Sequence, residues 1–211
     1  MARIDDFKKA LEIGKEELSK KNPLHLCRLS GGEFFEKANE QSSIRIKFLN
    51  RMISISWPDL IFSQDSDEEL KIKEKILILH YLNNAKKEDL TGDLIAYQEI
   101  PSARFYLSAF SARSTDPFIA TFGENPDKLP IVAQELFAAE RVSMGDVSVT
   151  IQAFPKVPIT FIIWQGDDEF PPNGTILFDS SIKDNLLSAE DISELVSMIV
   201  YPLIAKSRQK T

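Results

Sequence analysis

The stretch Val157–Ser181, VPITFIIWQGDDEFPPNGTILFDSS, decides how the chain is read. Ile159–Trp164 is apolar or β-branched at every position and carries no charge. That pattern fits a strand buried on both faces, or a central strand under helices. Gly174–Phe178 is a second run, in which Ile176 and Phe178 share one face. Between them, Gln165–Asn173 holds three consecutive acids (Asp167, Asp168 and Glu169), then Phe170, Pro171 and Pro172. The connection is longer than the roughly two to five residues of most hairpin loops, and its prolines stiffen it. Two readings of residues 166–173 stay open. A stiff acidic loop on a buried strand is a place to fix a cation, a hydrogen-bond acceptor or a general base. The same acids can also belong to a solvated turn that keeps a sheet edge from pairing.

Working outward, Ser43–Leu49 and Met52–Trp57 alternate apolar and polar residues across a turn at Asn50-Arg51, which predicts a hairpin with one dry face. Leu94–Ile100, stopped by Pro101, and Ser148–Phe154 read as further strands. Asp6 to about Lys20 reads as a helix ended by Asn22-Pro23. Ser66-Asp-Glu-Glu69 reads as a capping box opening a helix to about Asn84. Asp116-Pro117 and Asn125-Pro126 place an N-cap before a proline. They predict a short helix closed by Gly123 and another to about Ala139. Ser188-Ala-Glu-Asp191 caps a last helix to about Tyr201. Short connections favour antiparallel neighbours, and strands do not alternate strictly with helices. The expectation is a single α+β domain over residues 1–211, a mainly antiparallel sheet of about six strands covered by about five helices.

The 211 residues are 43% hydrophobic and 27% charged, ordinary proportions for a globular protein. The net charge of −7 opposes nonspecific binding to nucleic acid or anionic membranes. No apolar run approaches the roughly 20 residues of a membrane helix, and the N-terminus does not resemble a signal peptide, so a cytoplasmic protein is expected. One cysteine, Cys27, excludes an intrachain disulfide and a self-contained cysteine-ligated cluster.

Candidate chemistry is sparse. His25 and Cys27 would face the same way on a strand, but two ligands are weak grounds for a metal, and none is assigned. His80 follows the apolar run Ile76–Leu79 near a helix C-terminus, which favours an imidazolium. It reads either as a satisfied, partly buried histidine or as an axial ligand or general acid. Tyr81, Tyr97, Arg104 and Tyr106 are either core or the lining of a pocket for a large flat ligand. No glycine-rich phosphate loop and no nucleophile elbow occur.

Five segments together resemble a known family. They are Ile55-Ser-Trp-Pro-Asp59, His80-Tyr-Leu82, Leu90-Thr-Gly92, the stretch from Val157-Pro158 through the WxGDxEFPP run Trp164–Pro172, and Leu177-Phe-Asp179. The family is a domain of unknown function found in prokaryotes, largely anaerobes, and sometimes fused to a four-cysteine iron–sulfur module of the kind also seen in corrinoid iron–sulfur proteins. The resemblance runs from about Ser30 to the C-terminal helix and implies no catalytic residues. It implies a cytoplasmic ligand-binding or accessory protein of anaerobic metabolism, linked to corrinoid or iron–sulfur one-carbon chemistry. Its ligand would be a small molecule, with a corrinoid or other tetrapyrrole as the candidate cofactor, or its partner a redox or corrinoid protein. The candidate ligand-binding residues are His80, Tyr81, Arg104, Trp164, Asp167, Glu169 and Asp179. Two alternatives stand beside this reading. One is an enzyme with Asp167 or Glu169 as base and His80 as acid. The other is a protein–protein interaction module without a ligand.

Overall fold

The alternating segments around Asn50 pair as antiparallel strands β2 (Ser42–Phe48) and β3 (Arg51–Trp57). Ile44 stands opposite Ile55, and Ile46 opposite Ile53. These four side chains and Phe48 are buried, so the predicted dry face exists. The turn lies one residue earlier than expected, at Leu49-Asn50, both with positive φ (46° and 64°). That conformation matches strand twist in a two-residue hairpin. Short strands β1 (Glu33–Phe35) and β4 (Phe62–Gln64) extend the sheet to the order β1-β2-β3-β4.

A computed structural model describes residues 2–36, 42–66, 68–87, 89–184 and 186–209. These gather into two compact units. Unit 1 takes in Met1–Asp89, Phe154–Lys156 and Asn185–Leu187; unit 2 takes in Leu90–Ala153, Val157–Asp184 and Ser188–Thr211. The α+β class holds, with the strands divided between a four-stranded and a five-stranded sheet.

In unit 1 the sheet is accompanied by α1 (Ala2–Ser19), α2 (Pro23–Ser30) and α3 (Ile72–Asn84). Asn22-Pro23 ends the first helix as expected and also opens the second. The Asn22 side chain accepts from His25 N, Pro23 takes the first turn, and left-handed Gly31 closes it. On this helix His25 is exposed and Cys27 buried, which corrects the expectation of a strand presenting both to one side. Burial pushes the Cys27 thiol up to about 11, with Glu33 adding to it.

The expected capping box at Ser66–Glu69 does not open α3; its residue 67 lies outside the described residues. The helix begins at Ile72, where the Glu74 carboxylate accepts from Lys71 N (2.8 Å). Glu74 also pairs with Arg51 at 2.6 Å, so a tertiary ion pair sets the start of this helix. Gly14 lets α1 approach α3, because a Cβ there would lie 3.1 Å from Leu79. The Phe154 ring lies 4.9 Å from that of Phe48 on β2 and stacks on that of Tyr81 on α3 at 4.2 Å.

Unit 2 is built on β5 (Leu94–Ala96), β6 (Glu140–Val142), β7 (Val147–Phe154), β8 (Val157–Trp164) and β9 (Asn173–Asp179), in the order β5-β9-β8-β7-β6. The 154–156 end of the β7–β8 hairpin is counted with unit 1. As predicted, β8 is central and buried on both faces: Ile159, Phe161, Ile162 and Ile163 are all inside. The Thr160 hydroxyl, also buried, is satisfied by that of Thr150 at 2.9 Å. Phe161 meets Phe118 edge-on.

Residues 94–100 do not form one strand, since β5 ends at Ala96 and a 3-10 turn follows over Tyr97–Glu99. Glu99 bends back to accept from Ala96 N, and Tyr97 turns inward to stack on Phe110 at 3.9 Å. Asp116 is not an N-cap. Helical backbone arrives from α4 (Leu107–Phe110) through a π-helical turn at Ser111–Thr115 and runs on as α5 (Asp116–Phe122). Asn125 is not the N-cap either, since α6 (Lys128–Phe137) starts two residues later than expected, after Asp127.

The last helix, α7 (Ala189–Ser207), starts at the expected capping box. Ser188 Oγ accepts from Asp191 N (3.1 Å), and Asp191 Oδ2 accepts from Ser188 N (3.2 Å). Replacing Ser188 by alanine should cost about 1 kcal/mol. Urea unfolding checks this, and an unchanged midpoint would show that the box contributes nothing. The helix continues past Tyr201 through Pro202, with Leu203 and Ile204 buried beyond it. Burial of that last apolar turn outweighs the hydrogen bond that proline removes. No helix of the described residues is long and apolar enough to cross a membrane.

Candidate functional site

The seven candidate residues fall into separate groups. His80 and Tyr81 belong to unit 1; Arg104, Trp164, Asp167, Glu169 and Asp179 belong to unit 2. His80 is half-buried one turn before the end of α3. Tyr81 is core. It is fully buried, donates to Ser30 O at 2.7 Å and accepts from Lys156 N at 3.2 Å. Burial pushes its phenol well above the usual tyrosine range, so it stays protonated.

Tyr97 repeats the pattern in unit 2. Its hydroxyl donates to Ala189 O at 2.7 Å, and burial first, then Tyr106, raises it to about 12. Of the three tyrosines expected to receive a flat ligand, Tyr81 and Tyr97 thus stack on phenylalanines inside the core, while Tyr106 is exposed. Arg104 is exposed on a 3-10 turn. A groove of about 510 Å³, lined by Lys9, Ile13, Glu16, Asp59 and Leu60 among others, contains none of the seven.

Asp179, at the end of β9, is almost completely buried and acts as a clamp. Its Oδ1 accepts from Thr91 N (3.1 Å), Thr91 Oγ1 (3.1 Å) and Ser181 N (3.0 Å), and its Oδ2 from Gly92 N (2.7 Å). Burial alone would raise its pKa. The bonds from Ser181, Thr91 and Gly92 outweigh that and hold it down at about 2. Two of the quoted motifs, Leu90-Thr-Gly92 and Leu177-Phe-Asp179, therefore meet at one carboxylate. Its hydrogen-bonding capacity is occupied by the fold.

The WxGDxEFPP loop lies at the other end of β9, about 20 Å along the strand, so Asp179 does not join it. Asp167 organises this loop. Its Oδ1 accepts from Glu169 N (2.9 Å) and Phe170 N (2.7 Å), while its own N–H donates to Phe170 O (2.9 Å). The bonds from Phe170 and Glu169 hold its carboxyl below the usual aspartate range. Pro172 packs against Gly166 and Gly123, where an added Cβ would stand only 2.6 and 2.5 Å from it.

The turn between β6 and β7, which the sequence reading did not single out, completes this end of the sheet. Gly145, at φ +58°, lies where a Cβ would come within 2.6 Å of Ile162 and 3.2 Å of the Trp164 indole. Asp146 N donates to Ile163 O, and Asp146 Oδ2 accepts from Gln165 N. The run Ser143-Met-Gly-Asp146 carried a signal, a glycine followed by an acid between two strand-like segments.

The loop leaves Trp164 40% and Phe170 67% exposed, although its backbone is tied down. Exposed tryptophan and phenylalanine are side chains of the kind that carry much of the binding energy where interfaces form. The fold and this loop define an antiparallel α+β protein with an ordered aromatic–acidic loop at one end of its second sheet. The chain matches, over residues 22–201, the family described as Domain of unknown function (DUF3786), and it belongs to that family. No curated protein and no solved structure matches it.

Proposed function

We propose that this protein is a cytoplasmic accessory protein that works by docking a partner on the Trp164–Pro172 loop. The carrying observation is that the loop is held by its own hydrogen bonds and by Pro172 packing while Trp164 and Phe170 stay exposed. Ordering that is already present in the free protein need not be supplied by the partner. The link to corrinoid or iron–sulfur one-carbon chemistry rests on the family resemblance. With one cysteine the chain has no four-thiolate cluster of its own, so the partner brings the cofactor. With Asp167 as the base, an acid–base enzyme is less well supported. Asp167 already accepts two backbone N–H groups, and its lowered pKa makes it a weaker base.

The test is anoxic isolation from the host, followed by binding measurements with a purified corrinoid iron–sulfur protein of that host. The expected result is a defined complex that Trp164→Ala with Phe170→Ala weakens at least about tenfold, the loss of two hot-spot side chains, with far-UV circular dichroism unchanged. An unaffected complex, or a tetrapyrrole bound stoichiometrically to this chain alone, would overturn the proposal.

A further inference from the structure

The docking surface extends beyond the loop, and its charge restricts what it takes. Met144, 40% exposed, stands on the turn whose Gly145 backbone lies against Trp164, so Met144, Trp164 and Phe170 form the apolar part of one end of unit 2. Around them the segments Ser143–Val147 and Trp164–Asn173 carry Asp146, Asp167, Asp168 and Glu169 and no lysine or arginine. All four acids are exposed. Asp146 and Asp167 are fixed by hydrogen bonds from Gln165 N and from Glu169 N and Phe170 N, so their charges cannot swing away.

Resting on the docking reading above, we infer that the occupant is a cationic protein segment in which lysine or arginine side chains flank apolar residues. The apolar residues cover Trp164, Phe170 and Met144; the cations face the four carboxylates. Arginine and lysine suit this surface twice over, since the same groups pair with carboxylates and lie on aromatic faces. The charge disfavours an end-to-end copy of this chain and phosphate-bearing surfaces. A second copy of this chain would bring the same acidic end and a net charge of −7, and phosphate-bearing surfaces are repelled alike. In this arrangement burial of the aromatics supplies affinity, while the acids supply orientation, selectivity and on-rate.

The experiment uses the full chain carrying Trp57→Phe, which leaves Trp164 as the only tryptophan. Three synthetic peptides are titrated against its fluorescence: lysine and arginine alternating with leucine, glutamate alternating with leucine, and lysine alternating with serine. The basic leucine peptide is expected to bind at least about tenfold more tightly than either of the others, and to weaken severalfold as salt rises to about 0.3 M, where surface charges are screened. Replacing Asp168 and Glu169 together by lysine should shift the preference toward the glutamate peptide by at least about tenfold. Asp167 is left intact because it holds the loop, and circular dichroism confirms the fold of the swapped chain. Equal binding of the basic and acidic leucine peptides, no shift on charge swap, or equal binding of the serine peptide would each overturn the inference. If these fail while Trp164→Ala with Phe170→Ala still disrupts the complex with the corrinoid protein, docking stands and only the charge assignment falls. If that double variant leaves the complex intact, the docking reading itself fails.

Discussion

Replacing Asp179 by alanine is expected to destabilise the protein by about 3 kcal/mol or more, and to lower its melting temperature by about 10 °C. The carboxylate receives Thr91 N, Thr91 Oγ1, Gly92 N and Ser181 N. Its loss leaves several donors without partners at a nearly closed position. Asparagine keeps one acceptor oxygen but turns an amide donor toward backbone N–H groups, so Asp179→Asn should recover only part of the loss. The effect is linked to pH. The folded pKa of about 2 lies below the ordinary 3.8. The stabilisation is therefore complete above pH 3.8 and is lost as pH falls toward about 2. It amounts to about 2 kcal/mol. Urea titrations of wild type and Asp179→Asn between pH 2 and 6 check this. Parallel stability curves, or a melting temperature within a degree of wild type for Asp179→Ala, would show that the clamp is not what holds Thr91 and Gly92.

Tyr81 carries the second large effect. Tyr81→Ala should cost about 3–5 kcal/mol, since it removes a fully buried ring stacked on Phe154 and leaves a cavity. Tyr81→Phe keeps the ring and tests the hydroxyl alone. Ser30 O and Lys156 N lose their partner, a cost of about 1–2 kcal/mol. The phenol's raised pKa adds a signature at alkaline pH. Above the unfolded value of 10.0 the unfolded chain ionises and the folded one does not, so stability falls as pH rises past it. Tyr81→Phe should remove this residue's share of that slope, leaving Tyr97 to contribute its own. Equal stability of Tyr81→Phe and wild type across pH 8–11 would place the hydroxyl outside the energetics of the fold.

What could be read in advance depended on how local the deciding physics was. The β2–β3 hairpin, buried β8 and the capping box at Ser188 each announce themselves within a few residues, through alternation, unbroken apolarity and a serine–aspartate spacing. The helix over Pro23–Ser30 was not legible because eight residues that mix Leu24, Leu26, Cys27 and Leu29 with His25 and Arg28 fit helix or strand by periodicity alone; Asn22-Pro23 marks the end of the first helix and equally the start of the second. The start of α3 was misplaced because Ser66–Glu69 satisfies a local rule, while the pairing of Glu74 with Arg51 is decided 23 residues away in the chain.

Among the candidate residues, Trp164, Asp167 and Glu169 were legible as one loop because they are contiguous. That Asp167 spends its carboxylate on the backbone of Glu169 and Phe170 was not, since nothing in the order of residues tells a turn-forming aspartate from a displayed one. Tyr81, Tyr97 and Asp179 looked like pocket residues because a polar-tipped aromatic and a carboxylate after a strand suit either role. Only burial separates the two.

The sequence alone determined the α+β class, the antiparallel pairing of its clearest strands, the central place of Ile159–Ile163 and the family, all carried by short-range pattern. Tertiary structure decided which polar groups are engaged. It closed Asp179 on Thr91 and Gly92 across 88 and 87 positions of chain, drew Tyr81 onto Phe154, and brought the Met144–Asp146 turn beside Trp164. The physical reason is that burial and hydrogen-bond satisfaction depend on partners distant in sequence, whereas periodicity is written residue by residue.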